Sequence, residues 1–181
     1  MINHQNRFYC RSEMIESDKS LFVAVIGRSV LMSTCNGEVL LDSRDHEGLK
    51  YFRVRKMFLG IWNDTDCEVW ELEKQADCCN GYRLIDLRSL LLSLHEPLFS
   101  LACRAVQLLE WCDGHKFCGR CGKPTIQKNR ENAFSCVACN VDYYPRISPC
   151  IIVVVTLKDR CLLARQKTWE VGLYSALAGF L

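Results

Sequence analysis

The 181-residue chain has no apolar run long enough to cross a membrane. Its longest such run near a strand, Cys150 to Val155, falls far short of the roughly 18 residues that a span requires. The opening segment, Met1 to Cys10, has none of the apolar core of a secretory leader. An excess of charge of one sign is missing too. The chain has 23 Lys and Arg against 21 Asp and Glu, a formal +2, so nothing global points to nucleic acid or a membrane surface. No low-complexity stretch interrupts it, and 49% hydrophobic with 24% charged residues is a composition that can build a core. The expectation is a soluble, cytoplasmic chain with room for one large domain or a few small ones.

Cysteine is plentiful, at 13 residues, but it lacks the even framework of a disulfide-stapled protein. Four cysteines form two Cys-x-x-Cys pairs, Cys118/Cys121 and Cys136/Cys139, with fourteen residues between the pairs. Zinc(II) takes four thiolates tetrahedrally, and each short turn offers two sulfurs, so two turns complete a closed shell with no place for a reactive water. Such a site is structural. A redox dithiol would need one pair, not two in register. Gly119 and Gly122 in the first turn are expected to supply positive φ. His115, just ahead of the first pair, is a nitrogen donor that four sulfurs make unnecessary. The other nine cysteines are scattered, several within apolar runs, as free thiols are in a reducing compartment.

From about residue 20 to 95 the chain alternates short apolar runs with turn signals. Leu21 to Ile26, Glu38 to Asp42, Cys67 to Leu72 and Tyr82 to Leu87 read as strands, and Asn36-Gly37 and Asn80-Gly81 as hairpin turns. Asp45 to Phe58 reads as a helix of mixed periodicity. Pro97 then opens a helix in which Leu98, Leu101, Ala102, Ala105, Leu108, Leu109 and Cys112 recur at three- and four-residue spacing up to Gly114. This helix should brace the N-terminal unit against the metal ribbon. Between Lys116 and Arg146 stand six basic residues (Lys116, Arg120, Lys123, Lys128, Arg130 and Arg146) against Glu131 and Asp142, a local +4. A solvated ribbon surface accounts for them better than nucleic acid does, because no aromatics are interleaved in a run. After Pro149, Cys150 to Leu157 reads as a buried strand and Cys161 to Ala164 and Tyr174 to Phe180 as two more, with a turn at Lys158-Asp159.

The stretch from Ala105 to Leu181 resembles the NADH pyrophosphatase family of Nudix hydrolases. The resemblance is carried by Ala105-x3-Leu109-x-Trp111-x3-His115-x-Phe117-Cys118-Gly119-x-Cys121-Gly122, by Cys136-x-x-Cys139, by Tyr143-Tyr144-Pro145-Arg146-x2-Pro149, by the strand Ile151 to Val154 and by Leu177-Ala178-Gly179-Phe180. Over residues 1–95 it is loose, resting on position and on Ile85-Asp86-Leu87. It implies an α+β fold: an N-terminal α/β domain at 1–96, a connecting helix at 97–114, a four-cysteine zinc ribbon at 115–147, and at 148–181 the first strands of an incomplete Nudix α/β/α domain.

The resemblance further implies cleavage of the pyrophosphate of NADH or NAD to nicotinamide mononucleotide plus AMP, in some members on NAD-capped RNA, with Mg2+ or Mn2+ held by glutamates of one helix. Those glutamates would follow Phe180, and no displaced copy of their helix lies in residues 1–181. The expectation is therefore a truncated enzyme, inactive alone, with no catalytic residue of its own. The positions that map are zinc at Cys118, Cys121, Cys136 and Cys139, substrate contact at Tyr144, and a divalent-metal contact by the Ala178 carbonyl. Arg83 is a further candidate for the dinucleotide. The family's usual assembly is a homodimer. The alternative is a non-catalytic zinc-ribbon module that binds nucleotide, RNA or a protein partner.

Overall fold

Leu21 to Ile26 is apolar at every position because both of its faces are covered. In the computed structural model, which describes residues 8–9, 20–91, 93–128 and 131–181, this strand lies inside a mixed sheet and five of its six residues are buried. Cys10 and Arg130 of the sequence reading lie outside the described residues. The chain forms two compact units, one ending at Pro145 and one from Arg146 to Leu181.

The first unit is built on strands β1 (Phe8–Tyr9), β2 (Leu21–Ile26), β3 (Ser29–Ser33), β4 (Leu40–Leu41), β5 (Arg53–Trp62), β6 (Thr65–Leu72) and β7 (Tyr82–Asp86). They run in the order β1-β5-β6-β2-β3-β7, with β4 also paired to β2. Every pairing is antiparallel except that of β2 with β6, which sets Leu21 against Cys67 and Val25 against Glu71. Side chains alternate across the pleat. Val23 and Val25 therefore enter one core with Val30, Leu59, Cys67 and Val69. Phe22, Ala24 and Ile26 enter the other with Leu31, Leu49 and Trp70, where Phe22 stacks on Trp70 at 4.1 Å between ring centroids. The second core is closed by α1 (Ser43–Leu49), whose N-terminus carries a capping box between Asp42 and Asp45.

The first core is closed by α2 (Glu96–Gly114), with Pro97 in its first turn and Leu101, Ala102, Ala105, Val106, Leu108, Leu109 and Cys112 buried. Phe134 of the ribbon joins the same core and lies 5.3 Å from the Trp111 ring, so the helix does brace the ribbon against the sheet. The ribbon sheet comprises β8 (Ile126–Gln127), β9 (Phe134–Cys136) and β10 (Val141–Tyr143), in the order β10-β9-β8. A register shift between Phe58 and Gly60 bulges β5, and side chains take up the carbonyls there. Arg104 donates to the Leu59 carbonyl at 3.0 Å, and Asn132 of the ribbon donates to that of Phe58 at 2.7 Å. Arg55 adds an ionic tie, reaching Glu71 at 2.6 Å and Asp113 of α2 at 3.1 Å.

Two expectations need correction. Asp45 to Phe58 is not one helix: α1 ends at Leu49, a single 3-10 turn follows, and β5 begins at Arg53. The mixed periodicity came from reading two elements of different period as one. Asn36-Gly37 and Asn80-Gly81 do turn the chain, but neither joins two strands that pair with each other. The tight hairpins fall at Gly27-Arg28, between β2 and β3, and at Asn63-Asp64, between β5 and β6. Asn63 and Asp64 take φ of 46° and 63°, the left-handed pair that a two-residue hairpin with native twist demands.

In the second unit the run expected as one buried strand is two exposed ones, β11 (Cys150–Val153) and β12 (Val155–Leu157), separated by Val154; an apolar run signals a strand but not what covers it. β12 turns through Lys158-Asp159 into β13 (Arg160–Leu162), while β11 pairs antiparallel with β14 (Leu177–Phe180). The first unit repeats this path. The end of β2 turns through two residues into β3, and its beginning pairs antiparallel with β4, Phe22 against Leu41.

The packing of α2 can be tested against an exposed control. Leu101, at 0% exposure, should cost about 2–5 kcal/mol as Leu101→Ala, whereas Phe117→Ala, at 64% exposure, should stay within about 0.5 kcal/mol. Urea unfolding followed by tryptophan fluorescence reads both, and equal losses would show that the helix face is not the packed one.

Candidate metal centre and its surroundings

The ribbon brings the two Cys-x-x-Cys turns together. The Sγ atoms of Cys118, Cys121, Cys136 and Cys139 all lie within 4.8 Å of one another, with Cys121 and Cys136 at 3.6 Å. Four sulfurs at zinc-bond length around one ion stand about 3.8 Å apart, so this donor set fits zinc. It is the one such cluster of His, Cys, Asp and Glu among the described residues. Local backbone geometry makes the first turn. The Gly122 amide donates to the Cys118 carbonyl at 2.8 Å with φ of 72°, and the Arg120 amide approaches the Cys118 sulfur at 3.4 Å. Gly119, expected to share this role, has no positive φ; in the second turn Asn140 has it, at 51°.

Electrostatics favour a cation at the centre of the cluster. The Tyr143 hydroxyl, 3.1 Å from the Cys118 sulfur, donates to it and, with the Arg120 and Cys121 amides, lowers that thiol to about 6. Cys139 is pushed up to about 12, first by its hydrogen bond to Cys121, and Cys136 is raised by burial. Thiols this close cannot share several negative charges unaided, and a dication removes the conflict.

Tyr143 has a part in the cluster that the sequence alone does not signal; Tyr144 is the residue expected at the substrate. The ribbon register supplies the signal: Tyr143 pairs with Phe134, so this tyrosine faces the core and its neighbour faces out. Tyr144 is 51% exposed, donates to Glu131 at 3.1 Å, and has the Lys128 ammonium 6.0 Å from its ring. His115 is not a member of the cluster; its Nδ1 lies 2.7 Å from the Trp111 carbonyl and its ring packs on Trp111. Arg83 is exposed on the edge strand β7, with its guanidinium 3.2 Å from the Met32 sulfur. Ala178 stands in the second unit, on β14 opposite Ile152. No helix among the described residues is long and apolar enough to cross a membrane.

Comparison with known proteins agrees with this architecture. Residues 19–111 match the model of the NADH pyrophosphatase-like rudimentary NUDIX domain, and the chain belongs to the NADH pyrophosphatase family. Among curated relatives, the NAD-capped RNA hydrolase NudC of Stutzerimonas stutzeri (strain A1501) is 40% identical over 123 residues, 68% of this chain and 44% of that protein. The NudC of Pseudomonas putida (strain W619) is 45% identical over 140 residues, 77% of this chain and 47% of that protein. The mitochondrial NAD(P)H pyrophosphatase NUDT13 of Mus musculus is 43% identical over 100 residues, 55% of this chain and 28% of that protein. The chain spans about half the length, or less, of these relatives. The first unit carries the same strand path as the second, and after β4 it holds the seven-residue α1, whose acids are Asp45 and Glu47.

Purified protein should contain about one zinc per chain by elemental analysis, and Cys136→Ser should lose it. Because the ligands must be thiolates, zinc binding displaces protons. Its stabilisation should be present at neutral pH and fall on acidification, by about tenfold in affinity per pH unit for each proton displaced. A pH-independent zinc affinity, or a folded ribbon free of zinc, would contradict this assignment.

Proposed function

We propose that this chain serves a NAD(H) pyrophosphatase, which splits NADH or NAD to nicotinamide mononucleotide and AMP and extends this chemistry to NAD-capped RNA. The observation that carries the reading is a match to the rudimentary NUDIX domain at 19–111 followed by a four-sulfur cluster at 118–139, in a chain similar to relatives named NAD-capped RNA hydrolase and NAD(P)H pyrophosphatase. The ribbon's zinc is structural, because four sulfurs leave it no open position. Tyr144 offers an exposed ring and hydroxyl to the nucleotide, and Arg83 an exposed guanidinium to phosphate. A homodimer in the cytoplasm is the assembly that goes with this reading.

Mg2+ or Mn2+ would neutralise the pyrophosphate and polarise it toward water. The residues present do not fit such an ion. The Ala178 carbonyl is one neutral ligand, and among the described residues no cluster of carboxylates accompanies it. Residues 1–181 by themselves are therefore expected to release no AMP from NADH with added Mg2+ or Mn2+, and a chimera extended by a Nudix helix and the remaining sheet of a relative is expected to release it. Chromatography for AMP and nicotinamide mononucleotide decides the matter. Metal-dependent AMP release by the unextended 181 residues would place the catalytic groups elsewhere, and an inactive but folded chimera would favour a non-catalytic zinc-ribbon module.

A further inference from the structure

The two cysteine pairs are tied by a bond that needs no metal. Strand β10 follows Cys139 and pairs with β9, the strand that ends at Cys136, so Tyr143 belongs to the hairpin of the second pair. Its hydroxyl nevertheless reaches the first pair, 3.1 Å from the Cys118 sulfur. Apart from the cysteines themselves, no other side chain among the described residues bonds to a sulfur of the cluster. The Arg120 amide, at 3.4 Å from the same sulfur, is a longer contact and comes from within the Cys118 turn.

The chemistry of the site sets the direction of this bond. A sulfur that ligates zinc is a thiolate and has no proton to give, so the phenol must donate. Packing keeps the donor in place. The Tyr143 ring lies 5.8 Å from that of His115 between centroids, and it packs against the core that holds Phe134, its partner across the ribbon. Cys118 is 2% exposed, so water has little access to its sulfur and does not replace a donor that is lost.

We propose that Tyr143 is the positioning residue of the metal centre: its hydroxyl fixes the Cys118 sulfur relative to the second pair and offsets part of its charge when zinc is bound. The proposal rests on the zinc assignment and goes beyond the hydrolase reading. Removing a hydrogen-bond partner that orients a metal ligand typically costs about 10–100-fold in metal affinity. One bond on one of four sulfurs belongs at the lower end of that range. The competing role is packing alone, in which the ring holds the ribbon and the hydroxyl matters little.

The two roles separate in Tyr143→Phe, which keeps the ring and deletes the hydroxyl. Competition with a chromophoric chelator, run on the full chain, should show zinc held about tenfold more weakly than in the wild type. In the Co2+-loaded chain the sulfur-to-metal charge-transfer band should move to longer wavelength, because a thiolate relieved of a hydrogen bond gives up its electron more readily. The d–d bands should keep their tetrahedral positions. Tyr82→Phe, which deletes a hydroxyl bonded to Asp45 at 2.6 Å on the edge strand β7, should leave both readouts unchanged. The proposal is overturned if Tyr143→Phe holds zinc as the wild type does, if affinity falls with the charge-transfer band unmoved, if Tyr82→Phe weakens zinc as much, or if the wild-type chain takes up no metal. No dinucleotide enters the test, so it can fail while the extended chimera still releases AMP, and the converse can occur too.

Discussion

The contact on which the first unit depends is the apolar face of α2. That face covers one side of the sheet through Leu101, Ala105, Val106 and Leu108, and it also carries Trp111 to the ribbon residue Phe134. A ribbon of three short strands has little core of its own, and burial of apolar surface stabilises at about 25 cal/mol per Å2. Sharing a core with a seven-stranded sheet gives the ribbon what its size denies it. The polar ties fall where the sheet is least regular. At the β5 bulge, Arg104 from the helix and Asn132 from the ribbon take up neighbouring carbonyls that the ladder has shifted out of register. An unmet buried carbonyl costs about 1–3 kcal/mol, so these bonds fix where the ribbon sits as well as holding it there.

The metal centre adds a constraint of a different kind. Four sulfurs within 4.8 Å repel one another as thiolates, so a cation among them would stabilise the site. Tyr143 connects this requirement to the core. Its ring packs against the buried cluster that contains Phe134, and its hydroxyl donates to Cys118. Cys118, the ribbon strand and the helix are therefore linked through consecutive contacts, from Cys118 to Tyr143, to His115 and to Trp111. A change at the metal is thereby also a change in the packing of α2.

How much of this was legible depended on whether one signal decided the local structure. Leu21 to Ile26 and the Leu101–Cys112 face were read correctly because a fully buried strand and an amphipathic helix each leave a plain pattern. The cysteine pairs were read from spacing alone, and the structure brings all four sulfurs together. Strand β5 was not read. Its outer half, Arg53 to Lys56, is partly solvated and mixes Arg, Val and Lys, so its alternation looked like the end of a helix. The hairpin turns were assigned to Asn-Gly pairs, the strongest local signal, whereas the tight hairpins used Gly27-Arg28 and Asn63-Asp64. A turn signal says that the chain reverses; which strands then pair depends on the sheet order, and the parallel contact of β2 with β6 is a long-range choice that no turn residue encodes. That Tyr143 reaches the cysteine cluster was not legible either, since only the ribbon register shows which of two adjacent tyrosines faces inward.

The strand path of the first unit recurs in the second. In both units a long first strand is shared between a hairpin partner at one end and an antiparallel partner at the other, β3 and β4 for β2, and β13 and β14 for β11 with β12. Apolar strands and a two-residue turn accompany that path in both units, buried in the first and exposed in the second. A metal-holding helix is a separate demand, because it requires several carboxylates on one face and tolerates their mutual repulsion only with cations present. In the first unit the position after β4 holds α1, where Asp45 serves the capping box and accepts the Tyr82 hydroxyl at 2.6 Å, while Glu47 pairs with Lys50. Its acids are committed to holding the turn and the edge strand in place. The acids of α1 are thus engaged by a cap, a tyrosine hydroxyl and an ion pair, each of which holds local structure.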